Sequence, residues 1–348
     1  MKPDDKPLIT AVIPTFRRPR LLRRAIQSVL DQGNITLRVC VYDNASGDET
    51  ADVVSEIAAR DVRVVYHRHP MNIGAAENFE FGLSAVDTPF FSILSDDDYL
   101  LPGFYERAID GLLQSAQALF WAGMTLNVDE VGSIWDARLR TWPREGVFTP
   151  PDGFMQMTGG RAPAWTGVLF RREVLSKIGL PDRAVLGPSD LEFLLRLAAR
   201  CPFVLSKHPS AVFTLNSASF SATQPLSSFW PGWKRMLCKL EGDEDLDADF
   251  KHEAMEALRN DARKMLWRRG ANALAGKRID FALDAAEALE NDCGKRVRAG
   301  ALRLTAVCCR RSALFQQIYT SAYRQAERRI IDSRGDLQAV YGGLLRPA

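Results

Sequence analysis

The chain has 348 residues, 46% of them hydrophobic, with 45 basic residues against 43 acidic ones. That is enough for one large folded unit with an appendage, too apolar for a disordered chain, and without the global field that would make nucleic acid the main partner. Six cysteines (Cys40, Cys201, Cys238, Cys293, Cys308, Cys309) include no C-x-x-C pair, which argues against a zinc site or a redox motif. With a polar N-terminus and no membrane-length apolar run, a reducing cytoplasmic location without disulfides is expected.

From the start, short β-branched runs alternate with amphipathic stretches. Leu8 to Ile13, Leu37 to Tyr42, Val62 to Tyr66 and Phe90 to Leu94 read as strands, and Leu21 to Leu30, Thr50 to Arg60 and Ala75 to Val86 as helices. This order predicts an α/β unit of parallel strands covered by helices, with the ligand at the carboxyl ends of the strands. Pro102 to Ser115 reads as a further helix, Leu119 to Val128 as one or two strands, and Trp135 to Ala164 as a long shaped loop. A strand at Thr166 to Phe170, helices at Arg172 to Ile178 and Asp190 to Arg200, and two strands at Phe203 to Leu205 and Ala211 to Leu215 close the unit. Beyond a boundary near 225–245 only helices are expected, at Asp247 to Arg269, Ile279 to Asn291 and Lys295 to Arg329. The last segment carries nine Lys or Arg and one acid, Glu327. It reads either as a surface for an anionic membrane, at the inner face, or as a helical domain with a solvated basic face.

Chemistry-bearing side chains follow the strands. The triplet Asp96-Asp97-Asp98 comes directly after Phe90 to Leu94. Closely spaced carboxylates at a strand end can hold a hard divalent cation and leave positions for phosphate oxygens; the other reading is a solvated acidic turn before a helix. Asp43 can accept a hydrogen bond from a base N–H such as N3–H of uracil or thymine, or close an Asx turn. Asn72, Gly74 and Asn78 offer amides and a close backbone approach near a helix N-terminus. Asp190 opens a helix either as its N-cap or as a general base, and Glu192 and Arg196, one turn apart, read as a structural ion pair.

Six segments carry a resemblance in their order: V-I-P-T-F-R-R-P from Val12, V-Y-D-N-A-S-G-D-E-T from Val41, N-I-G-A-A-E-N from Asn72, L-S-D-D-D-Y-L-L-P-G from Leu94, G-V-L-F-R-R-E-V-L from Gly167 and S-D-L-E-F-L-L-R-L-A from Ser189. Between Pro7 and Ser221 the chain resembles glycosyltransferase family 2. The resemblance implies a GT-A fold, with a mostly parallel Rossmann-like sheet flanked by helices. It also implies inversion at the anomeric carbon, a nucleoside-diphospho-sugar donor and dependence on Mg2+ or Mn2+. A UDP- or dTDP-sugar is expected from Asp43, with a GDP-sugar as the alternative, and a glycan, lipid-linked or small-molecule acceptor. On this reading residues 1–230 form the catalytic domain, with a donor half at 1–103 and an acceptor half at 104–230, and residues 231–348 form a helical domain.

Carried over by position, Pro14, Thr15 and Phe16 match the family's first nucleotide-contacting turn and Asp43 its base-binding aspartate. Asn72, Gly74 and Asn78 match its nucleotide-side loop, Asp96 and Asp97 the positions near ribose and diphosphate, Asp98 the metal ligand and Asp190 the catalytic base. Three positions depart from the pattern: Ser95 and Ser189 stand where acids are common, and Asn216 stands where a metal-side histidine is frequent, so that Asn216 becomes the candidate oxygen ligand. Trp165 is the candidate acceptor platform, with an ordinary core role for it and Trp142 as the alternative. The competing reading for the whole chain is a degenerate, non-catalytic nucleotide-sugar or glycan-binding subunit. A nucleotidyltransferase would need a glycine-rich first loop, and a dehydrogenase a G-x-G-x-x-G, neither of which follows the first strand.

Overall fold

The computed structural model describes residues 6–33, 35–216 and 224–345. Four parallel strands open the chain: β1 (Ile9–Thr15), β2 (Leu37–Asp43), β3 (Val64–Arg68) and β4 (Phe90–Ile93). Helices α1 (Pro19–Leu30), α2 (Thr50–Ala58) and α3 (Ala75–Ser84) make the crossovers. Every residue of β1 is buried, as a strand covered on both faces requires. Ile9, Ala11 and Ile13 join Leu22 and Ile26 of α1 in one core, while Val12 alternates into the other with Tyr42 and Leu83. The layer over β1 and β2 is thin at Gly82, where an added Cβ would lie 2.7 Å from Val12 Cγ1 and 3.0 Å from Tyr42 Cδ2.

The chain continues through β5 (Tyr99–Leu100), α4 (Phe104–Gln114), β6 (Phe120–Asp129), β7 (Ile134–Ala137), β8 (Gly146–Phe148) and α5 (Asp152–Met157). A 3-10 turn at Trp165–Gly167 leads into β9 (Val168–Arg171), α6 (Glu173–Lys177), α7 (Ser189–Ala198) and β10 (Phe203–Leu215). The sheet order is β3-β2-β1-β4-β9-β6-β10-β5, with β7 on β6 and β8 on β10. β9 runs antiparallel between β4 and β6, which makes the sheet mixed while its donor-side half stays parallel. One phenylalanine from each of β4, β9, β6, β10 and β8 forms a ladder across that junction. Ring centroids are 5.1 Å apart for Phe91–Phe170, 6.0 Å for Phe120–Phe170, 4.6 Å for Phe120–Phe203 and 5.6 Å for Phe148–Phe203. Such cross-strand ring pairs bind the two halves of the sheet into one core.

Four expectations change. The stretch Trp135 to Ala164 is not a single loop: it holds most of β7, then β8 and α5. The two predicted closing strands are one, β10, whose register shifts at Pro209 because that residue has no N–H to give the ladder. A helix, α8 (Leu226–Glu241), occupies the predicted boundary and carries Pro231 inside it. The long terminal helix is two, α11 (Arg296–Arg311) and α12 (Ala313–Asp332), because Ser312 turns extended and its Oγ caps Phe315 N.

Between α8 and α11 lie α9 (Ala248–Ala275) and α10 (Ile279–Asn291). These helices share a continuous apolar cluster with the face of the sheet that carries Val12, Phe91, Phe120 and Phe203. Lys239 and Arg235 of α8 pair with Glu192 and Asp182 at 2.5 and 2.8 Å, and Glu192 also takes Arg196 at 2.9 Å, so the expected Glu192–Arg196 pair is structural. The last helix, α13 (Leu337–Tyr341), docks on β7, where Gln338 Oε1 accepts from Ile134 N at 3.0 Å. Helix α11 buries Ala299, Leu302 and Ala306 and leaves Val297 and Leu304 exposed on its other side. Among the described residues no helix is long and apolar enough to cross a membrane. All six cysteines are free.

Candidate active site

The carboxyl ends of β1, β2 and β4 are neighbours, so Thr15, Asp43 and the turn after β4 share one edge of the sheet. Pro14 and Thr15 end β1, and Phe16 is exposed just beyond. Asp96 is the anchor of this turn: its Oδ2 accepts from Thr15 Oγ1 at 2.8 Å and from Phe16 N at 3.3 Å. Arg18 then bridges two members of the triplet, with Nη1 3.0 Å from Asp96 Oδ1 and 2.7 Å from Asp97 Oδ2. Desolvation works against the Arg18 charge, but the carboxylates of Asp96 and Asp97 outweigh it and raise the guanidinium pKa. Burial raises the Asp96 pKa, with Arg18 opposing the shift and Asp97 adding to it.

Asp43 is buried, and both its oxygens are engaged. Oδ1 accepts from Ser46 N and Ser46 Oγ at 2.9 and 2.6 Å, and Oδ2 accepts from Tyr66 Oη at 2.7 Å. Arg17, at φ 56°, links this turn to the first one through its N–H to Ser46 Oγ at 2.9 Å. Asn72 and Asn44 interlock: Asn44 Nδ2 donates to Asn72 Oδ1 at 3.2 Å, and Asn44 Oδ1 accepts from Ile73 N at 2.8 Å. Gly74 is the N-cap of α3 and sits at φ 94°, a backbone angle that a side chain would strain. Asn78 is buried beneath it, donating to Tyr42 O and meeting His69 Nε2, both at 2.9 Å.

Asp98 is almost fully buried. Its Oδ1 accepts from Thr214 N at 2.8 Å, and its Oδ2 meets Thr166 Oγ1. Desolvation and the neighbouring Asp97 push its pKa up to about 8. The resemblance assigns a divalent cation here, and the donor set as it stands does not fit one. Asp96 and Asp97 are tied to Arg18, each oxygen of Asp98 already has a protein partner, and no group of three or more His, Cys, Asp or Glu among the described residues is placed to hold a metal. Asn216, the other ligand candidate, directly follows β10, two residues beyond Thr214.

Asp190 lies in the first turn of α7 behind Ser189, with its side chain exposed. Pro188 is the N-cap and has no capping side chain; Asp190 is the second helical residue, and its Oδ1 accepts from Leu191 N at 2.8 Å. Desolvation by the surrounding protein raises its pKa, against the pull of the Leu191 N–H and Arg138. An exposed carboxylate with a raised pKa suits a proton acceptor. Trp165 is half-buried between Phe79 and Phe193, and its indole N–H donates to Asp190 O at 3.1 Å. Trp142 is buried, donates to Arg161 O at 2.9 Å, and is a core residue.

Sequence reasoning assigned no role to Arg18, Thr166, Thr214, Tyr66 or Arg138. Their partners lie far along the chain: Arg18 meets Asp97 across 79 residues and Thr166 meets Asp98 across 68. Two arginines in a strand-end turn were the one readable sign.

Residues 10–179 match the family described as glycosyl transferase family 2. Among curated proteins, the GalNAc(5)-diNAcBac-PP-undecaprenol beta-1,3-glucosyltransferase of Campylobacter jejuni is 34% identical over 111 residues, which cover 32% of this chain and 35% of that protein. The chain therefore spans well under two thirds of that relative's length. Among solved structures, S. aureus TarS 1-349 in complex with UDP-GlcNAc aligns with a TM-score of 0.58 at 14% identity, covering 91% of this chain and 92% of that one. The mannosyltransferase PcManGT of Pyrobaculum calidifontis, in complex with GDP-Man and Mn2+, aligns with a TM-score of 0.51 at 15% identity over 94% and 87% of the two chains. Residues 10–179 therefore carry a family 2 glycosyltransferase domain, on a fold that is GT-A-like.

Proposed function

We propose that this chain transfers a sugar from a nucleoside-diphosphate donor to an acceptor hydroxyl in bacterial glycan assembly, with inversion at the anomeric carbon and Asp190 as the base. The observation that carries the reading is the pairing of two chemistries joined through the turn at Trp165–Gly167: a polar donor shelf built by Thr15, Asp43, Asn72 and Asp96, and a separate exposed carboxylate of raised pKa at Asp190. The Campylobacter relative's name supports a lipid-linked acceptor class, and the solved neighbours with UDP-GlcNAc and GDP-Man support a nucleotide-sugar donor.

In this scheme the acceptor O–H gives its proton to an Asp190 oxygen as the acceptor oxygen attacks the anomeric carbon from the side opposite the leaving group. The bond from that carbon to the diphosphate oxygen breaks, its electron pair leaves with the nucleoside diphosphate, and the configuration inverts. Asp43 would take a base N–H by exchanging its Tyr66 hydrogen bond, which favours a uracil or thymine nucleotide. Trp165 would line the acceptor side through its exposed ring edge.

A second reading, nucleotide-sugar binding without turnover, is favoured by the engagement of Asp96 and Asp97 with Arg18 and by Ser95, Ser189 and Asn216. A nucleoside-diphosphate release assay decides between them. The purified chain is offered UDP-, dTDP- and GDP-sugars with pyrophosphate-linked lipid and oligosaccharide acceptors, and binding is measured in parallel. Acceptor-dependent release by wild type that is lost in Asp190→Asn supports transfer; binding with no release under any pairing supports the second reading.

A further inference from the structure

Three carboxylates in sequence at a strand end repel one another, and each must find a counter-charge or a proton. Here the three solve this in two ways. Asp98 is held by Thr166 and Thr214, one on each carboxyl oxygen. Asp96 and Asp97 are buried as well, and a single guanidinium nitrogen, Arg18 Nη1, sits between them at 3.0 and 2.7 Å. Neighbouring elements brace this arrangement. Arg24 Nη2 donates to the Asp97 carbonyl at 2.6 Å and to Thr214 Oγ1 at 3.1 Å, and Thr214 Oγ1 donates to the same carbonyl at 2.6 Å. Asp97 is thus fixed by its backbone while its carboxylate faces Arg18.

We propose that Arg18 is the built-in counter-cation of this site. It occupies the charge position that a divalent ion would take beside Asp96 and Asp97, so Mg2+ or Mn2+ and Arg18 compete for the same two carboxylates. With Arg18 in place this pair of carboxylates is closed to divalent ions. Arg18 acts here as a positioning residue through these carboxylates. The inference rests on the transferase reading for its meaning, but its test needs no donor and no turnover.

The test is direct titration of Mn2+ alone into nucleotide-free wild type, Arg18→Gln and Arg18→Lys, following free Mn2+ by its electron paramagnetic resonance signal, with thermal melts to show that each variant is folded. Removing a full positive charge at contact distance should tighten Mn2+ binding by at least about tenfold in Arg18→Gln. Arg18→Lys, which keeps the charge without the fork, should stay near wild type. In the Arg18→Gln background, Asp97→Asn should abolish the gained affinity. Equal Mn2+ affinity in wild type and Arg18→Gln, or no Mn2+ binding by either, would overturn the proposal. Acceptor-dependent release of nucleoside diphosphate, measured separately on wild type, reports on the transferase reading alone.

Discussion

The indole N–H of Trp165 donates to the backbone carbonyl of Asp190 at 3.1 Å, while the next residue, Thr166, meets the carboxyl of Asp98. One 3-10 turn therefore joins the start of α7 to the acidic triplet. Trp165→Phe keeps the ring but removes that donor. It should cost about 0.5–1.5 kcal/mol of stability and lower kcat through misplacement of Asp190, with donor affinity unchanged. Denaturant unfolding, the rate of transfer and nucleotide titration check the three parts separately.

Asp190→Asn should lower kcat by roughly 10²- to 10⁴-fold, the usual contribution of a general base, and leave donor affinity near wild type. A base works deprotonated, and desolvation holds the Asp190 pKa above its ordinary 3.8. Activity should therefore fall as pH drops through that raised value, and the acidic limb should disappear from the residual activity of the Asn variant. The pH profile of kcat is the measurement.

Asp98 gives a stability signature of the opposite sense to the usual aspartate. Its folded pKa is raised from 3.8 to about 8, chiefly by burial, so the folded state holds a proton that the unfolded chain releases. Its contribution is fully present below pH 3.8 and is lost as pH rises toward about 8. Asp98→Asn removes the titration, so wild type should lose stability relative to Asp98→Asn across that window in urea melts. A difference that stays constant with pH would contradict this assignment.

Asp43→Ala leaves Ser46 N, Ser46 Oγ and Tyr66 Oη without their shared acceptor. The loss should cost about 1–3 kcal/mol, while Tyr66→Phe should cost less and free Asp43 Oδ2 for a base. Comparing nucleotide affinity in Tyr66→Phe and wild type tests whether that hydrogen bond competes with ligand.

The parallel half of the fold was legible because buried parallel strands are continuous apolar runs: β1, β2 and β4 lie within two residues of their predicted ends. β3 begins two residues late because Val62 is exposed. The stretch 135–164 was opaque for the reverse reason. β8 exists by pairing Gly146–Phe148 with Phe203–Leu205, more than fifty residues on, and no local pattern announces it. Helix α8 was hidden by Pro231, an ordinary helix breaker. In the site, the carboxylates could be read from their place after strands. Their division of labour could not, since Asp98 differs from Asp96 and Asp97 only by which side chains close over it.

The most direct test of the central claim is calorimetric titration of the wild-type chain with UDP, dTDP, GDP and CDP, each with and without Mn2+, supported by thermal unfolding. Binding of one base class should appear, and at about 100 times its dissociation constant that nucleotide should stabilise the fold by about 2.7 kcal/mol. Absence of heat and of any thermal shift with all four nucleotides, in both metal conditions, would contradict a nucleotide-sugar site at the β1, β2 and β4 strand ends.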